Sequence, residues 1–304
     1  MNEFYRDKVN RVVDHIQANL DSELSLRALA EVACLSKFHF SRIFQSVMGE
    51  TPYAFIRRLR LEKAAGRLLA DPETSITEIA LAGGFATPSS FAKSFKKHFK
   101  MSATQWRNPS ATWGDPKSTP MRIERAQISI INGCPVWSFV KGDTVRRVIV
   151  EDIHPMKVAY IRNVGPYAGD EFLFQKLSEE LLQWAVPRAQ MNDSTYILNI
   201  YHDNPEITTS SNLRVMVAIP LLDTVKPSGS VGIAEFTGGK YATSRFRLKS
   251  DEFKQAWHWM SSIWLMNSGY EWDSREAFER CYGEKTIDGV RFFDVDIGIP
   301  VKMK

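Results

Sequence analysis

The chain has 304 residues, of which 44% are apolar and 12% aromatic, so it is too long for one average domain and suits two or three buried cores. No stretch nears the ~20 apolar residues a membrane-crossing helix needs, and the start, MNEFYRDKVNRVVDHI, lacks the apolar block of a signal peptide. Three scattered cysteines, Cys34, Cys134 and Cys281, argue against a disulfide frame or zinc site and for reduced thiols in a cytoplasm. The net charge of +4 is uneven: residues 1–107 hold 16 basic and 11 acidic side chains, net +5, and the remainder is net −1. A basic third on a near-neutral body points to a polyanionic partner.

From the N-terminus, Val9 to Leu20 predicts an amphipathic helix with Val9, Val12, Val13, Ile16 and Leu20 on one side. A second helix starts near Ser25, a side chain suited to its N-cap, with Leu26, Leu29, Ala30 and Ala33 inward. After a turn at Cys34-Leu35, SKFHFSRIFQSVM (36–48) places Phe40, Ile43, Phe44, Val47 and Met48 on one helical face. Phe38, Ser41, Arg42 and Gln45 are left on the other. A guanidinium, a hydroxyl, an amide and an aromatic ring are groups that read base edges and thymine methyls. An ordinary surface helix would look similar; the neighbourhood decides.

The layout repeats. Leu26, Leu29, Ala30, Cys34 and Leu35 have counterparts 50 residues on in Ile76, Ile79, Ala80, Gly84 and Phe85. Phe40, Phe44, Met48 and Phe55 match Phe91, Phe95, Phe99 and Trp106 at an offset of 51. Ser75 and Glu78 form a capping box at the second copy's start. Between the copies, Thr51 to Ala70 predicts a helix with Thr51 as cap and Pro52 in its first turn, ended by Asp71-Pro72. A rod of roughly 29 Å is near the ~34 Å between successive major-groove faces. The second copy's last helix, Pro88 to Phe99, shows Ser89, Ala92, Lys93, Lys96 and Lys97 outward.

On SKFHFSRIF (36–44), TPYAFIRRLRLEKA (51–64), IALAGGF (79–85), SSFAKSFKKHF (89–99) and QWR (105–107), residues 1–107 resemble the DNA-binding domain of the AraC/XylS transcription regulators. The resemblance implies base contacts from Phe38, Ser41 and Arg42 in the first recognition helix and from the positions of Pro88, Ser89 and Lys93 in the second, with Lys37 on phosphate. Gln45, Ser90, Lys96 and Lys97 complete the expected DNA-binding set. Pro88 replaces a polar residue, and Lys100 and Ala103 stand where Gly and Pro are common. The second helix is therefore expected to grip phosphate through Lys93, Lys96 and Lys97 more than to read bases. His39 and His98 are expected to pack or cap.

NPSATWGDPKSTP (108–120) reads as a linker, and Asn132-Gly133 between β-prone runs predicts a hairpin within 108–143. Residues 144–304 then show strand-helix-strand-strand twice: MKVAYIRNVGPY, a helix over Asp170–Trp184, YILNIYHD and LRVMVAIPL; then VGIAEFTGGKYATSRF, a helix over Ser250–Met266, and segments near Cys281 and RFFDVDIGIPVK. The fold class expected is multidomain α and α+β: an all-α double helix-turn-helix (1–107), the linker, and a duplicated module (144–304) with a central ligand pocket. Glu279 lies among Trp257, Trp259, Trp264, Tyr270, Trp272 and Tyr282, a setting in which aromatic faces favour a cation and a buried carboxylate needs a partner. Phe253, Trp257, Met260 and Trp264 also form one helical stripe, so much of this aromatic content is core.

VAYIRNVGPY (158–167), IYHDNP (200–205), GGKYA (238–242) and AFERCY (277–282) resemble a GyrI-like effector-binding domain, and the whole layout resembles the Rob-like group of AraC/XylS regulators. The resemblance implies that Glu279 meets a cationic or polar aromatic effector, with Tyr167 and Trp264 lining the pocket. Trp257, Tyr201 and Tyr282 complete the expected effector set. The expected function is a non-enzymatic, sequence-specific transcription regulator without cofactor or metal, in a bacterial cytoplasm. Its expected partners are promoter DNA, a small effector and RNA polymerase. Two alternatives stay open: a small-molecule hydrolase using Glu279 as general base, and a protein-sequestering module.

Overall fold

The computed structural model describes residues 3–71, 73–108, 126–131, 134–141, 144–223 and 225–303, with side chains from Tyr5 on and again from Arg147 on. The linker expected at 108–120 lies outside these residues except for Asn108. So do Asn132 and Gly133 of the expected hairpin turn. The chain divides into two compact units, built mainly from residues 1–118 and 119–304.

The first unit is a helical array: α1 (Glu3–Ala18), α2 (Leu26–Val32), α3 (Lys37–Met48), α4 (Pro52–Ala70), α5 (Ile76–Ala82), α6 (Pro88–Phe99) and α7 (Ala103–Arg107). Helices α2 to α7 each begin where a side chain takes up an otherwise orphaned backbone N–H. Ser25 accepts from Ala28, Ser36 from His39, Thr51 from Ala54 and Thr87 from Ser90, and Ser75 with Glu78 closes a capping box. The repeat read from sequence is a repeat of packing. Phe44 meets Phe55 edge-on at 5.4 Å, and their counterparts Phe95 and Trp106 meet edge-on at 6.0 Å. The turn between paired helices also recurs: Leu35 N–H donates to the Ala30 carbonyl and Phe85 N–H to that of Ala80.

Both turns pass through left-handed backbone, at Cys34 (φ 51°) in the first copy and Gly84 (φ 77°) in the second. Glycine enters that region freely, whereas a Cβ there costs about 1–2 kcal/mol. Cys34 is exposed, so its side chain offsets little of this. Cys34→Gly is therefore expected to raise unfolding stability by about 1 kcal/mol in urea melts of the full chain; no gain, or a loss, would show that the thiol holds the turn.

The long helix α4 is the axis of the unit. Arg60 spreads its guanidinium over three backbone carbonyls, of Leu20 (2.8 Å), Ser22 (2.6 Å) and Gly84 (2.8 Å), tying the end of the first helix to the second turn. Gly84 is required for that reach, because a Cβ there would stand 2.8 Å from Arg60 Cζ. Arg58, 5% exposed, donates to Glu50 and to Glu62 Oε2 (3.0 Å), and His98 Nε2 of α6 lies 4.0 Å from Glu62 Oε1.

The second unit is built on one antiparallel sheet. In chain order it comprises β1 (Ala126–Ile131), β2 (Cys134–Lys141), β3 (Thr144–Ile153), β4 (Met156–Val164), α8 (Glu171–Ala185), β5 (Ile197–Tyr201), β6 (Arg214–Pro220), β7 (Gly232–Phe236), β8 (Gly239–Leu248), α9 (Phe253–His258), α10 (Leu265–Asn267), β9 (Tyr270–Trp272), β10 (Ala277–Ile287) and β11 (Val290–Met303). The sheet order is β1-β2-β3-β8-β11-β10-β5-β6-β4-β7, with β9 on β11. β1 pairs with β2 from Ala126↔Phe139 to Ile131↔Cys134, the register of a two-residue hairpin, and the pair extends the sheet through β3.

The duplication is visible in this order. β4-α8-β5-β6 forms the trio β4-β6-β5, and β8-α9-β10-β11 forms the trio β8-β11-β10. The halves meet where β5 and β10 pair, and the middle rung of that five-rung ladder is Glu279↔Asn199. One face of the sheet, through Val148, Phe246, Val295 and Ile297, packs on Ala256 of α9 and on Met260 and Trp264 just after it. The other buries Tyr160, Leu198, Ile200, Tyr241 and Phe278. Gly298 is needed beneath Phe278, whose ring atoms would lie 2.2 Å from a Cβ at that position.

The helix expected over Ser250–Met266 is interrupted. Trp259–Trp264 forms a π-helical turn between α9 and α10, a rare widening that occurs mostly as a single turn within α-helices. It seats Met260 and Trp264, both fully buried, in the core.

Candidate nucleic-acid interface and effector site

On the first unit the expected DNA-contacting side chains occupy the outer faces of α3 and α6, because Phe40, Phe44, Phe91 and Phe95 turn the opposite faces into the cores. Lys37, Arg42 and Gln45 are exposed, Ser41 is half-buried, and Phe38 is 86% exposed. In α6, Ser89, Ser90, Lys93, Lys96 and Lys97 are all exposed. Among the described residues none of Lys37, Arg42, Lys93, Lys96 and Lys97 has an ion-pair partner, whereas Arg11, Arg27, Arg58 and Arg60 of the same unit are engaged within it. His39, expected to pack, meets the Tyr5 ring edge-on at 5.4 Å.

The C-cap of α6 is Lys100 in left-handed conformation (φ 61°), where the first copy has Gly49 (φ 76°). The end of the second recognition helix thus carries Lys96, Lys97 and Lys100 together, a positive cluster suited to a phosphate chain.

In the second unit the expected acid lies at the seam between the halves. Glu279 is 4% exposed, and its carboxylate is enclosed by protein donors. Trp257 Nε1 donates to Oε1 (2.6 Å), while Tyr201 Oη (2.8 Å) and Asn199 Nδ2 (3.3 Å) donate to Oε2. Tyr201 and Asn199 come from β5 and Trp257 from α9, so both halves and a helix meet at one carboxylate. Tyr201 stands between Trp257 (5.4 Å, edge-on) and Tyr167 (5.4 Å), giving three rings in a row beside it. Burial raises the Glu279 carboxyl pKa above its ordinary value, against the lowering effect of the three donors. Burial, with the charge of Glu279, likewise raises the Tyr201 phenol.

All three partners of Glu279 are neutral, so its charge is hydrogen-bonded but not compensated. The sign of the resulting pH dependence follows from the raised pKa: the stabilising protonated form is fully present below the unfolded value of about 4.3 and is lost as pH rises through the higher folded value. Glu279→Gln should thus be progressively more stable than the parent chain as pH rises above ~4.5, by urea melts at stepped pH. A stability difference independent of pH would mean that the carboxyl does not titrate abnormally.

Two expected effector residues are not in this cluster. Strand alternation turns Glu279 to the helix-covered face and Tyr282 to the opposite one. There Tyr282 Oη donates to Asp296 (2.6 Å) and its ring lies under Arg245 at 3.9 Å. Trp264 is fully buried in the sheet–helix core, stacked on Tyr270. Tyr282 was expected from the aromatic composition and Trp264 from the resemblance; the period of two turns Tyr282 to the other face, and Trp264 packs in the core instead.

Asn199 was missed, because it comes from a strand 80 residues away and only the β5–β10 pairing brings it in. The pair Asp203–Arg214 was missed too: the carboxylate takes the Arg214 backbone N–H (2.7 Å) and its guanidinium, with both side chains under 5% exposed. It pins the chain directly after Tyr201. A shallow concavity of about 270 Å³ lies elsewhere, at the β7 side of the sheet, lined by Lys157, Leu221, Val225, Ile233, Ala234 and Glu235.

Comparison with known proteins places these two units. Residues 147–302 match the GyrI-like small molecule binding domain, and residues 29–109 match a helix-turn-helix domain. The chain is 26% identical over 171 residues to the HTH-type transcriptional regulator YbfP of Bacillus subtilis, covering 54% of this chain and 56% of that one. It is 34% identical over 128 residues to the HTH-type transcriptional regulator SACOL0084 of Staphylococcus aureus, covering 41% of this chain and 17% of that one. The chain thus spans about half or less of these curated relatives' length. A solved AraC-type regulator from Chromobacterium violaceum is similar at a TM-score of 0.33 with 28% identity, over 35% of this chain and 95% of that one. The chain belongs to the GyrI-like small-molecule-binding family and carries, ahead of that module, a helix-turn-helix domain of the AraC type.

Proposed function

We propose that this chain is a sequence-specific DNA-binding transcription regulator whose activity is set by a small cationic or polar aromatic effector held at Glu279. The observation that carries the first part is the paired outward faces of α3 and α6, with their free basic groups and the exposed Phe38. Arg42, Ser41 and Phe38 read bases in one major groove; Lys93, Lys96 and Lys97 hold phosphate in the next, with Lys37 as a further phosphate contact. Promoter DNA is the polyanion in this reading, the bacterial cytoplasm the compartment, and RNA polymerase the machinery whose access is changed.

For the second part, the support is a buried carboxylate ringed by Tyr167, Tyr201 and Trp257 and lacking a counter-charge. A cation arriving there supplies that charge and displaces a neutral donor. Trp257 is the donor contributed by a helix and not by the central strands. The effector acts through unequal affinity for two states of the chain.

Selection of bound fragments from random duplex DNA, with and without an arylammonium ion, tests both halves. One enriched sequence is expected, with occupancy that shifts when the cation is added. No enrichment at low salt would end the DNA reading. A cation-dependent rise in melting temperature that persists undiminished in Glu279→Gln would end the role of Glu279.

A further inference from the structure

Beyond its charge, the seam carries a second acceptor that the protein leaves without a donor. Asn199 is 6% exposed and stands directly across the ladder from Glu279. Its amide nitrogen faces Glu279 Oε2 (3.3 Å) and Cys281 Sγ (3.6 Å). With Glu279 ionised this orientation is fixed, since the reverse would set a carbonyl oxygen against a carboxylate. The amide oxygen Oδ1 is then buried, and among the described residues it accepts no hydrogen bond. Buried acceptors are nearly always satisfied, and an exception calls for an explanation.

The seam therefore offers a carboxylate and a donor-hungry carbonyl on adjacent strands, with the Tyr201 and Trp257 rings alongside. A permanently alkylated cation would meet the charge and the rings but would press methyl groups on Oδ1. A cation with two or more N–H groups meets all three. Resting on the reading of Glu279 as the effector carboxylate, we propose that the effector is an N–H-bearing cation with an aromatic body, a protonated amine, amidine or guanidine, and that Asn199 selects it over quaternary ammonium ions.

Two probes of matched size decide this: benzamidinium and phenyltrimethylammonium, titrated calorimetrically into the full chain with tryptophan fluorescence as a second readout. Benzamidinium is expected to bind about tenfold more tightly, the worth of one hydrogen bond to an otherwise unsatisfied buried acceptor. In Asn199→Val the ratio should fall to near one, and in Glu279→Gln both affinities should drop together. Equal affinities in the parent chain, with both still lost in Glu279→Gln, would overturn the role of Asn199 and leave the Glu279 site standing. A preference that persists in Asn199→Val would overturn it as well. Binding of neither probe, or binding indifferent to Glu279→Gln, would overturn the underlying site. The parent-chain ratio needs no variant, so the proposal stays testable even should Asn199→Val fold poorly.

Discussion

Replacing Arg58 by leucine is expected to destabilise the first unit by about 3–5 kcal/mol, the usual outcome when one member of a buried ion-pair cluster is removed. The Arg58 guanidinium is 5% exposed and shared between Glu50 (20% exposed) and Glu62 (8%). Without it, buried Glu62 and partly buried Glu50 both lose the guanidinium that pairs with them. His98 cannot replace it. Burial, followed by the nearby Arg58 and Arg57 charges, lowers the His98 imidazole pKa below its ordinary value, so its approach to Glu62 is not that of a cation near neutral pH. Urea melts of the full chain measure the loss, read from the first transition. Adding Glu50→Gln and Glu62→Gln to Arg58→Leu should restore much of it, because the penalty is the stranded charge and not the missing arginine. A loss below ~1 kcal/mol in Arg58→Leu alone would mean that the carboxylates had turned out to water.

The location of this cluster ties it to function. Glu50 directly follows the C-cap of α3, Arg58 and Glu62 lie on α4, and His98 lies on α6. The network thus ties the segment just after α3 to α4, and His98 near the end of α6 packs beside it. Variants that loosen it without unfolding the unit would weaken DNA binding while leaving every DNA-facing side chain in place.

Arg42→Ala is expected to cost about 1–3 kcal/mol of affinity for the selected sequence, roughly 5- to 150-fold, and to leave binding to unrelated duplex nearly unchanged. Lys96→Ala with Lys97→Ala is expected to behave differently, weakening all sequences alike and flattening the slope of log affinity against log salt by about two. Fluorescence anisotropy at four or more salt concentrations, on the selected site and on a scrambled one, separates the two outcomes. Arg42→Ala acting equally on both duplexes would recast Arg42 as a phosphate contact. A change of sequence preference in the lysine pair would show that α6 reads bases despite Pro88 at its first position.

Much of the first unit was legible in the sequence because its determinants are local. Caps at Ser25, Thr51 and Ser75 fall where polar side chains precede apolar periodicity, and the 50- and 51-residue offsets pair residues that do the same packing work. The ionic network was not legible. RRLRLEK reads as a solvated face, and only the return of Glu50 and α6 onto it buries Arg58 and Glu62. In the second unit the strand-helix-strand-strand repeat and the acid at Glu279 were readable from pattern and resemblance. The composition of its surroundings was not, because sheet neighbours are set by long-range pairing. Alternation alone could have excluded Tyr282 from the side of Glu279, once the strand was taken to run unbroken from Ala277 through Tyr282. Nothing in the local sequence announces Asn199.

The central rung of the β5–β10 ladder makes Asn199 and Glu279 equivalent positions of the two copies. An acid in both would have set two like charges side by side, forcing them to share a proton near neutrality and to attract dications. The amide in one copy keeps the polar shape and breaks the charge symmetry. The seam between two nearly equivalent halves thereby acquires a direction, and under the proposed function a guest with one positive end would have a single way to lie against it.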